Sequence, residues 1–520
     1  MRERALPPMI DVKTIEQASS ISRELHRLMD EAPAHAIKGA RSIRGRGPAK
    51  VRTLVLQAAI FIDAGQAIKD RAALQDGIRI LRRLVAKLPG ESGLRYNLAN
   101  GLFALATLQL SSSNYYVDTT EERREARALY HQVANENPGA RLQGETLINL
   151  GNQLDHGHRW VEAYDCWARA LEVDPANGVA ALSIARMLQR RSRRFPEHPG
   201  FQHSVSNYYA RLARRLAAEI TQHAGPEAGA MAKALAVSGS SWRPRRRRLA
   251  DEYARFVSRH RLALVGTIEG VDFRKRRWDT VHARKISEPF NSPMGVPPVF
   301  AMLNQLKADF CVARWLAYAA TTDQPPTPNT ALYMDTLDYA VYGIGPAMLT
   351  LAQRAALDVL DRVAVCANEY FRLGEKPTQV TFQDFWREHG GLGPWRTALR
   401  PLLNPGIIAL AELASDLGNG GALGIKRRLR NAATHRFCIL HDEGATGSRP
   451  SPGIDHHGYG EFGGETIATL QVARSAILYL LDAIAWAESH RPRGAPALQL
   501  EVVPHHHIRG EVPRPRVRAR

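Results

Sequence analysis

Residues 146–177 read TLINLGNQLDHGHRWVEAYDCWARALEVDPAN and decide the fold class of the first half of the chain. Small and large side chains recur here at helical spacing, at Leu150, Gly151, Trp160, Ala163, Trp167 and Ala170. Small residues let two antiparallel helices approach closely, and the two tryptophans fill the groove between them. Pro175 stops the second helix because proline cannot continue one. The segment therefore predicts a pair of antiparallel helices.

Similar units lie on both sides of this segment. Residues 94–105, LRYNLANGLFAL, repeat its Asn-Leu-small-Asn pattern, and a weaker unit covers 53–88. Residues 180–190 and 205–220 would continue the stack. The spacing of small and large positions resembles the tetratricopeptide repeat (TPR), whose units stack into a solenoid because one unit cannot bury its faces alone. We expect a TPR-like helical solenoid over residues 50–222.

The resemblance implies that this solenoid binds a peptide or protein partner on its concave face. Its candidate contacts are the paired asparagines Asn97, Asn100, Asn149 and Asn152. The alternative is that these asparagines only cap neighbouring helix turns, since asparagine side chains readily bond to nearby backbone.

The composition favours a polyanionic partner without requiring one. The 520 residues contain 70 Lys and Arg against 51 Asp and Glu, a formal net charge of +19. Such an excess attracts nucleic acid, because each neutralised phosphate releases a counterion. A soluble, arginine-rich protein with no such partner would have the same composition.

The cysteines and the apolar runs indicate a cytoplasmic protein. Cys166, Cys311, Cys366 and Cys438 are far apart and form no C-x-x-C pair, so we expect buried thiols and neither disulfides nor a zinc site. No apolar leader follows Met1, and no apolar run reaches the ~20 residues that span a bilayer.

The second half is helical without a repeat period. Apolar residues recur at helical spacing over 300–320, 345–371, 404–440 and 464–488, the third stretch being broken near 418–421. Four long helices with apolar stripes predict a bundle, with irregular insertions at 322–342 and 441–463. The fold class is therefore all-α.

The motif Arg430-Asn-Ala-Ala-Thr-His435 carries the functional prediction. R-x-x-x-x-H with a polar residue after the arginine, late in a four-helix domain, resembles the HEPN superfamily of metal-independent ribonucleases. Four further short motifs agree with this resemblance: residues 304–307 NQLK, 337–339 LDY, 360–364 LDRVA and 404–406 NPG. Together they resemble the bacterial HEPN branch with N-terminal TPR repeats, over roughly residues 260–490.

The spacing of these residues also predicts two helix faces, independently of the family resemblance. If residues 425–440 form a helix, its apolar face consists of Leu429, Ala432, Ala433, Phe437 and Leu440. Asn431 and His435 are four apart and stack on the opposite face, with Arg428 one turn earlier. Arg430 is about 140° around the helix from His435. A solvated surface histidine is the alternative to a catalytic one.

The resemblance implies an endoribonuclease with Arg430, His435 and Asn431 as catalytic residues, of a toxin or antiphage-defence type. Histidine titrates near neutrality and can move the proton of a 2′-hydroxyl. Arginine's planar fork suits the charge that develops on phosphate. Arg427 and Arg436 are candidate phosphate contacts. HEPN domains commonly form homodimers with one composite cleft, and no cofactor is implied.

Other candidates rank lower. Arg428, Asp361, Glu369 and Lys307 are possible supporting residues, although a salt bridge with a neighbouring arginine is the better explanation for the two acids. The clusters 456–457 and 505–507 contain histidines but no supporting Cys or Asp geometry, so no metal site is predicted.

The predicted domain division has five parts. Residues 1–49 are an N-terminal segment, 50–222 the repeats, 223–290 a basic linker and connecting segment, 291–490 the HEPN-like domain and 491–520 a disordered Pro/Arg-rich tail. Two other functions stay open. One is a non-catalytic TPR/HEPN scaffold that dimerises and binds RNA or a protein, and the other is an enzyme that acts on nucleotides.

Overall fold

The structure is a computed structural model. It describes residues 10–136, 138–194, 199–239, 242, 251–269, 271, 278–289, 295–322, 330–389, 391–424, 436–442, 451–491 and 497–501. Helices dominate these residues, and their strands are short and form two-stranded sheets. The predicted all-α class is confirmed.

The first seven helices lie between residues 15 and 135. The elements are β1 (Ile10–Val12), α1 (Ile15–Glu31), α2 (Pro33–Ser42), β2 (Ile43–Gly45), α3 (Lys50–Ala67), α4 (Arg71–Lys87), α5 (Ser92–Thr107), α6 (Tyr115–Asp118) and α7 (Thr120–Asn135). β1 pairs with β2 in parallel. Neighbouring helices pack on each other, α3 on α4 and α5 on α7.

The helical pair predicted from residues 146–177 is present as α8 (Ala140–His156) and α9 (Trp160–Val173). Gly151 on α8 faces the Trp167 ring, where an added Cβ would come within 2.4 Å of the indole nitrogen. Glycine is therefore required for the two helices to approach this closely. The stack continues with α10 (Gly178–Arg194), α11 (Pro199–Arg215) and α12 (Ala217–Ala234), an order of helices consistent with TPR-like repeats.

Much of the segment predicted as a linker is packed into the protein where the structure describes it. It contains α13 (Glu252–Arg259) and β3 (Lys285–Pro289), and Leu262 and Leu264 are fully buried. Asp279 accepts hydrogen bonds from Arg314 at 2.7 and 3.0 Å. The prediction of a linker followed the arginine clusters and overlooked the apolar run at 262–265. The clusters themselves, 243–248 and 274–277, lie outside the described residues.

Among the described residues, the C-terminal bundle contains four long helices. Its elements are α14 (Pro298–Thr321), α15 (Ile344–Phe371), α16 (Pro405–Leu417), β4 (Phe437–His441), β5 (Ile454–Gly458), α17 (Tyr459–Ser489) and β6 (Ala497–Glu501). Helix α15 packs on α14 and α17, and α16 packs on α17. β6 pairs antiparallel with β3, so residues 497–501 of the predicted disordered tail form a strand, and that part of the prediction is wrong.

The prediction of a helix through residue 440 is also wrong. Residues 437–441 form β4, which pairs in parallel with β5. Phe437, placed on the apolar face of the expected helix, is 74% exposed. The run Phe-Cys-Ile-Leu is rich in residues that favour strands, and β5 supplies the hydrogen bonds that a strand needs.

One hydrophobic core runs through both halves of the chain. It joins Leu150 and Trp167 of the repeats to Leu410 of α16 and Leu480 of α17. A second, smaller core lies under α1–α4. The repeats and the bundle therefore pack as one body.

Candidate active site

The predicted catalytic residues lie outside the part of the chain that the structure describes. These are Arg430, Asn431 and His435, together with Arg427 and Arg428. Their roles stay predictions. The described residues that adjoin this segment are Gly424 on its N-terminal side and Arg436 on its C-terminal side. The structure therefore shows the elements that lead into and out of the motif.

Helix α16 leads into the motif, and residues 404–406 explain how it starts. Asn404 caps the helix, its side-chain oxygen accepting from the backbone N–H of Gly406 at 3.0 Å and of Ile407 at 3.1 Å. Pro405 fits the first helical position, where no N–H bond is needed. Gly406 lies against the backbone of α17, where a Cβ would come within 2.4 Å of the Ala483 nitrogen. Residues 404–406 therefore fix where α16 begins and how closely α16 crosses α17.

Two buried acids on α16 bind arginines of the repeats. Glu412 and Asp416 are both fully buried. Arg123 donates to both carboxylate oxygens of Glu412, one at 3.0 Å. Arg127 donates from Nε to Asp416 at 2.8 Å and from a terminal nitrogen to Glu412 at 3.1 Å. Arg159 also donates to Asp416.

A fourth arginine, from the bundle itself, completes this buried cluster. Arg387 donates to Glu412 at 3.0 Å and to the Thr120 hydroxyl at 2.6 Å. Burial alone would raise the pKa of Glu412, but Arg123, Arg127 and Arg387 lower it to about 2. Arg127 and Arg159 likewise outweigh burial and lower the pKa of Asp416. Both acids are therefore charged at neutral pH. We call these six residues the arginine–carboxylate cluster: Arg123, Arg127, Arg159, Arg387, Glu412 and Asp416.

The far border of the motif is the sheet of β4 and β5. Arg436 is half exposed and donates to Asp455 of β5 at 2.7 Å. His441, at the end of β4, is buried, and its two ring nitrogens contact Asp338 and His456. Arg436 is thus engaged in an ion pair, which a phosphate would have to replace or share.

Two of the predicted supporting residues, Lys307 and Asp361, have structural partners. Lys307 donates to the carbonyls of Asp279 at 3.0 Å and Val281 at 2.8 Å, and burial lowers its pKa. Asp361 accepts from the backbone N–H of Phe382 at 2.9 Å, and Glu369 is exposed on α15. The contacts of Lys307 and Asp361 fasten loops to the bundle.

The asparagines proposed for partner binding include two that bond to each other. Asn149 donates to Asn100 at 3.0 Å and to the Tyr96 hydroxyl at 3.0 Å, and Tyr130 donates to Asn100 at 2.6 Å. Asn97 and Asn152 are partly buried nearby in the sequence. The bonds of Asn100 and Asn149 join α5 to α7 and α8, so these two side chains have a structural task.

Sequence reasoning missed the arginine–carboxylate cluster. A signal existed, because Glu412 and Asp416 are four apart in the otherwise apolar helix PGIIALAELASDL. Charged residues four apart share a helix face, and a buried face cannot hold two acids without cations. Three of their four cations come from α7 and from the residue before α9, 257 to 289 residues earlier, and the sequence does not indicate that pairing.

Residues 290–487 match the family model described as LA2681-like HEPN. This part of the chain is an HEPN domain. The predicted resemblance to that superfamily is confirmed, while the TPR-like part is only suggested by the helices. No curated protein and no solved structure matches the chain. An HEPN domain indicates a ribonuclease-type or nucleotide-binding function.

Helix α17 of the HEPN domain is long and apolar enough to cross a membrane by length and composition. Of its most apolar window, 72% is buried inside the protein, as in the core helix of a bundle. This helix is therefore weak evidence for a membrane span.

Proposed function

We propose that the HEPN domain is a metal-independent endoribonuclease whose active site contains Arg430, Asn431 and His435. The observation that carries the proposal is the occurrence of R-x-x-x-x-H at 430–435 inside the region that matches an HEPN family model. The site would belong to a cytoplasmic enzyme of the toxin or defence type.

The proposed chemistry is attack of the RNA 2′-hydroxyl on the adjacent phosphorus. His435 takes the proton of that hydroxyl or returns one to the leaving 5′-oxygen. Arg430 stabilises the charge that gathers on the phosphate oxygens, and Asn431 orients the imidazole or the phosphate. The products would be a 2′,3′-cyclic phosphate, or its opened form, and a 5′-hydroxyl.

The charge of the chain supports RNA as the substrate. The formal net charge is +19, and Arg427, Arg428, Arg430 and Arg436 cluster around the motif. Arginine suits phosphate because its fork donates two parallel hydrogen bonds. Arg427 and Arg436 are the proposed phosphate contacts.

We further propose that the repeats control the nuclease through the arginine–carboxylate cluster. Helix α16 ends at Leu417, only 13 residues before Arg430, and its acids are held by arginines of the repeats. A partner that bends the repeats would move α7 relative to α16 and so shift the start of the motif segment. Interiors transmit such displacements because they are close-packed.

The alternative is an HEPN domain that only binds RNA or a protein. One observation favours it in part, since Arg436, a proposed phosphate contact, already has a carboxylate partner. A third possibility is an enzyme acting on nucleotides.

The test is incubation of the full-length protein with total RNA in EDTA, followed by mapping of the cleaved ends. We expect cleavage with 5′-hydroxyl ends, and His435→Ala to lower its rate by about 10²–10⁴. Arg430→Ala should lower the cleavage rate by a comparable factor. The Tm is recorded in the same buffer so that loss of fold is not mistaken for loss of chemistry.

His223→Ala is the matched control, because this side chain on α12 is 57% exposed and lies outside the HEPN domain. It should cleave like wild type. Binding of RNA without cleavage by wild type, with equal binding by both alanine variants, would favour the scaffold. Turnover of free nucleotides with intact RNA would favour the third possibility.

A further inference from the structure

Three segments of the HEPN domain bring together side chains of metal-ligating type. Asp338 precedes α15, His441 ends β4 and His456 lies in β5. One ligand atom from each lies within 4.8 Å of the others. The sequence around 456–457 predicts no metal site because it has no supporting Cys or Asp geometry, and folding supplies an acid from more than 100 residues away.

The hydrogen bonds of His441 fix which of its nitrogens can bind a cation. Its Nδ1 lies 3.0 Å from the backbone carbonyl of Asp338, which can only accept, so Nδ1 carries the proton. The lone pair of the neutral ring is then on Nε2. A backbone carbonyl that holds one imidazole nitrogen and aims the other is the usual support of a metal-binding histidine.

The second histidine meets that lone pair. Nε2 of His441 lies 2.7 Å from Nδ1 of His456. Two nitrogens bound to one zinc ion at about 2.0–2.1 Å lie roughly 3.3 Å apart in tetrahedral geometry. A small rotation of the more accessible His456 ring would provide that spacing, and the ion would replace the proton between the rings.

The acid is held in place by its own loop. The carboxylate of Asp338 accepts from the Thr336 hydroxyl at 2.5 Å and from the backbone N–H of Ala340 at 3.3 Å. Its neighbours Leu337 and Tyr339 both have left-handed backbone, with φ of 56° and 58°. The segment is tied to β4 by the Val341 N–H, which donates to the Leu440 carbonyl at 2.8 Å.

We infer that Asp338, His441 and His456 bind a divalent transition metal ion, with zinc as the best fit. Two imidazoles and one carboxylate suit zinc and are poor ligands for Mg²⁺ or Ca²⁺, which prefer oxygen. Three protein ligands leave a fourth position for water. The ion would pin the 330–342 loop to the β4–β5 sheet through His441, which lies six residues after His435. It takes no part in the proposed cleavage.

The test uses full-length protein stripped with EDTA and reloaded with Zn²⁺ or with Mg²⁺. We expect the Tm of wild type to rise with Zn²⁺ and not with Mg²⁺. His456→Ala and Asp338→Asn should each bind one Zn²⁺ fewer per chain than wild type after gel filtration. Each should weaken the competition-measured affinity by about 100-fold or more.

His457→Ala is the matched control, since it is the next residue of β5 and contacts Phe462. Side chains alternate along a strand, so its loss should leave zinc binding at the wild-type level. Circular dichroism confirms that each variant is folded. Equal zinc content in wild type and His456→Ala, or equal loss in the control, would overturn the inference. Metal content and Tm are independent of RNA cleavage, so this result and that of the proposed function are separate.

Discussion

At the scale of single residues, glycines set the distances between helices. Gly406 on α16 touches the α17 backbone at Tyr479 and Ala483. Backbone cannot move aside as a flexible side chain can, so a methyl group here would push the two helices apart. The Asn-Pro-Gly motif at 404–406 is thus required for helix packing and not for catalysis.

Gly406→Ala should therefore lower the free energy of unfolding by about 2–3 kcal/mol, because overpacking forces backbone shifts. The measurement is urea unfolding followed by circular dichroism. Gly464→Ala is its control, since this exposed glycine of α17 has open space around its Cβ. It should be neutral or stabilise by up to about 1 kcal/mol. Equal stability of the two variants would contradict the packing argument.

A second residue-scale prediction concerns Arg430. Replacement by lysine keeps the charge but replaces a planar fork with a compact ammonium group. If Arg430 binds the reacting phosphate through two parallel hydrogen bonds, Arg430→Lys should restore little of the cleavage lost in Arg430→Ala. Single-turnover rates with a defined RNA would measure this. Full rescue by lysine would show that only charge matters there.

At the scale of elements, α16 depends on cations from other segments of the chain. Glu412 contacts three arginines and has no exposed surface. Removing its charge leaves those arginines buried with fewer partners. We expect Glu412→Gln to lower the free energy of unfolding by about 3–5 kcal/mol, measured by urea unfolding.

The control for that variant is Glu121→Gln. Glu121 lies on α7, as Arg123 does, and its side chain is 70% exposed, with a nitrogen of Arg124 at 3.9 Å. Exposed pairs contribute little, so the change should stay within about 0.5 kcal/mol. A similar loss in both variants would mean that burial of the cluster is not what stabilises α16.

The same cluster predicts how stability depends on pH. The pKa of Glu412 is about 2 in the folded protein and that of Asp416 is also lowered, whereas an unfolded glutamate titrates near about 4.3. The folded state therefore binds fewer protons than the unfolded state in this range. The stabilisation that ionised Glu412 and Asp416 contribute is complete above about pH 5 and is lost as the pH falls towards 2. The Tm of wild type should fall over that window, and Glu412→Gln should flatten the fall.

The elements also show how far the sequence can predict this protein. Periodicity located α8, α9, α14, α15 and most of α17, because each has a long apolar face. It failed at β4, where a short apolar run adjoins a helical pattern and only the pairing with β5 selects a strand. It also failed for Asp338 and for the arginine partners of Glu412 and Asp416, since contacts between distant segments leave no local pattern.

At the scale of the whole molecule, the shared core predicts cooperative unfolding. Trp160 of α9 donates to Asp482 of α17 at 2.8 Å, and Tyr479 donates to Glu162 at 3.1 Å. With the arginine–carboxylate cluster, these contacts bind the repeats to the bundle. Calorimetry should show one transition, and Arg127→Ala should lower the Tm of both halves together. Two transitions in wild type would mean that the halves are independent.

Assembly is the last property that belongs to the whole molecule, and exposed apolar residues near the motif motivate a prediction for it. Met334, Leu337 and Tyr339 lie in one loop and are each at least 79% exposed. That loop pairs with β4, where Phe437, two residues after His435, is also exposed. Monomeric proteins rarely expose such groups together without a partner. A second copy of this chain would cover them and bring two motif segments to one cleft.

We therefore predict a two-fold dimer by light scattering at micromolar concentration, and monomers for the double variant Met334→Asp, Phe437→Asp. In a two-fold interface the same patch of each copy faces the other. The new aspartates of the two copies would therefore lie close together and repel each other. Val296→Asp is the matched control: Val296 is 72% exposed but precedes α14, away from β4 in the sequence. It should stay dimeric. If cleavage needs residues from both copies, the monomeric variant should lose nuclease activity while keeping its helical spectrum. A wild-type monomer with full nuclease activity would exclude the composite cleft and leave each Arg430 and His435 to work within one chain.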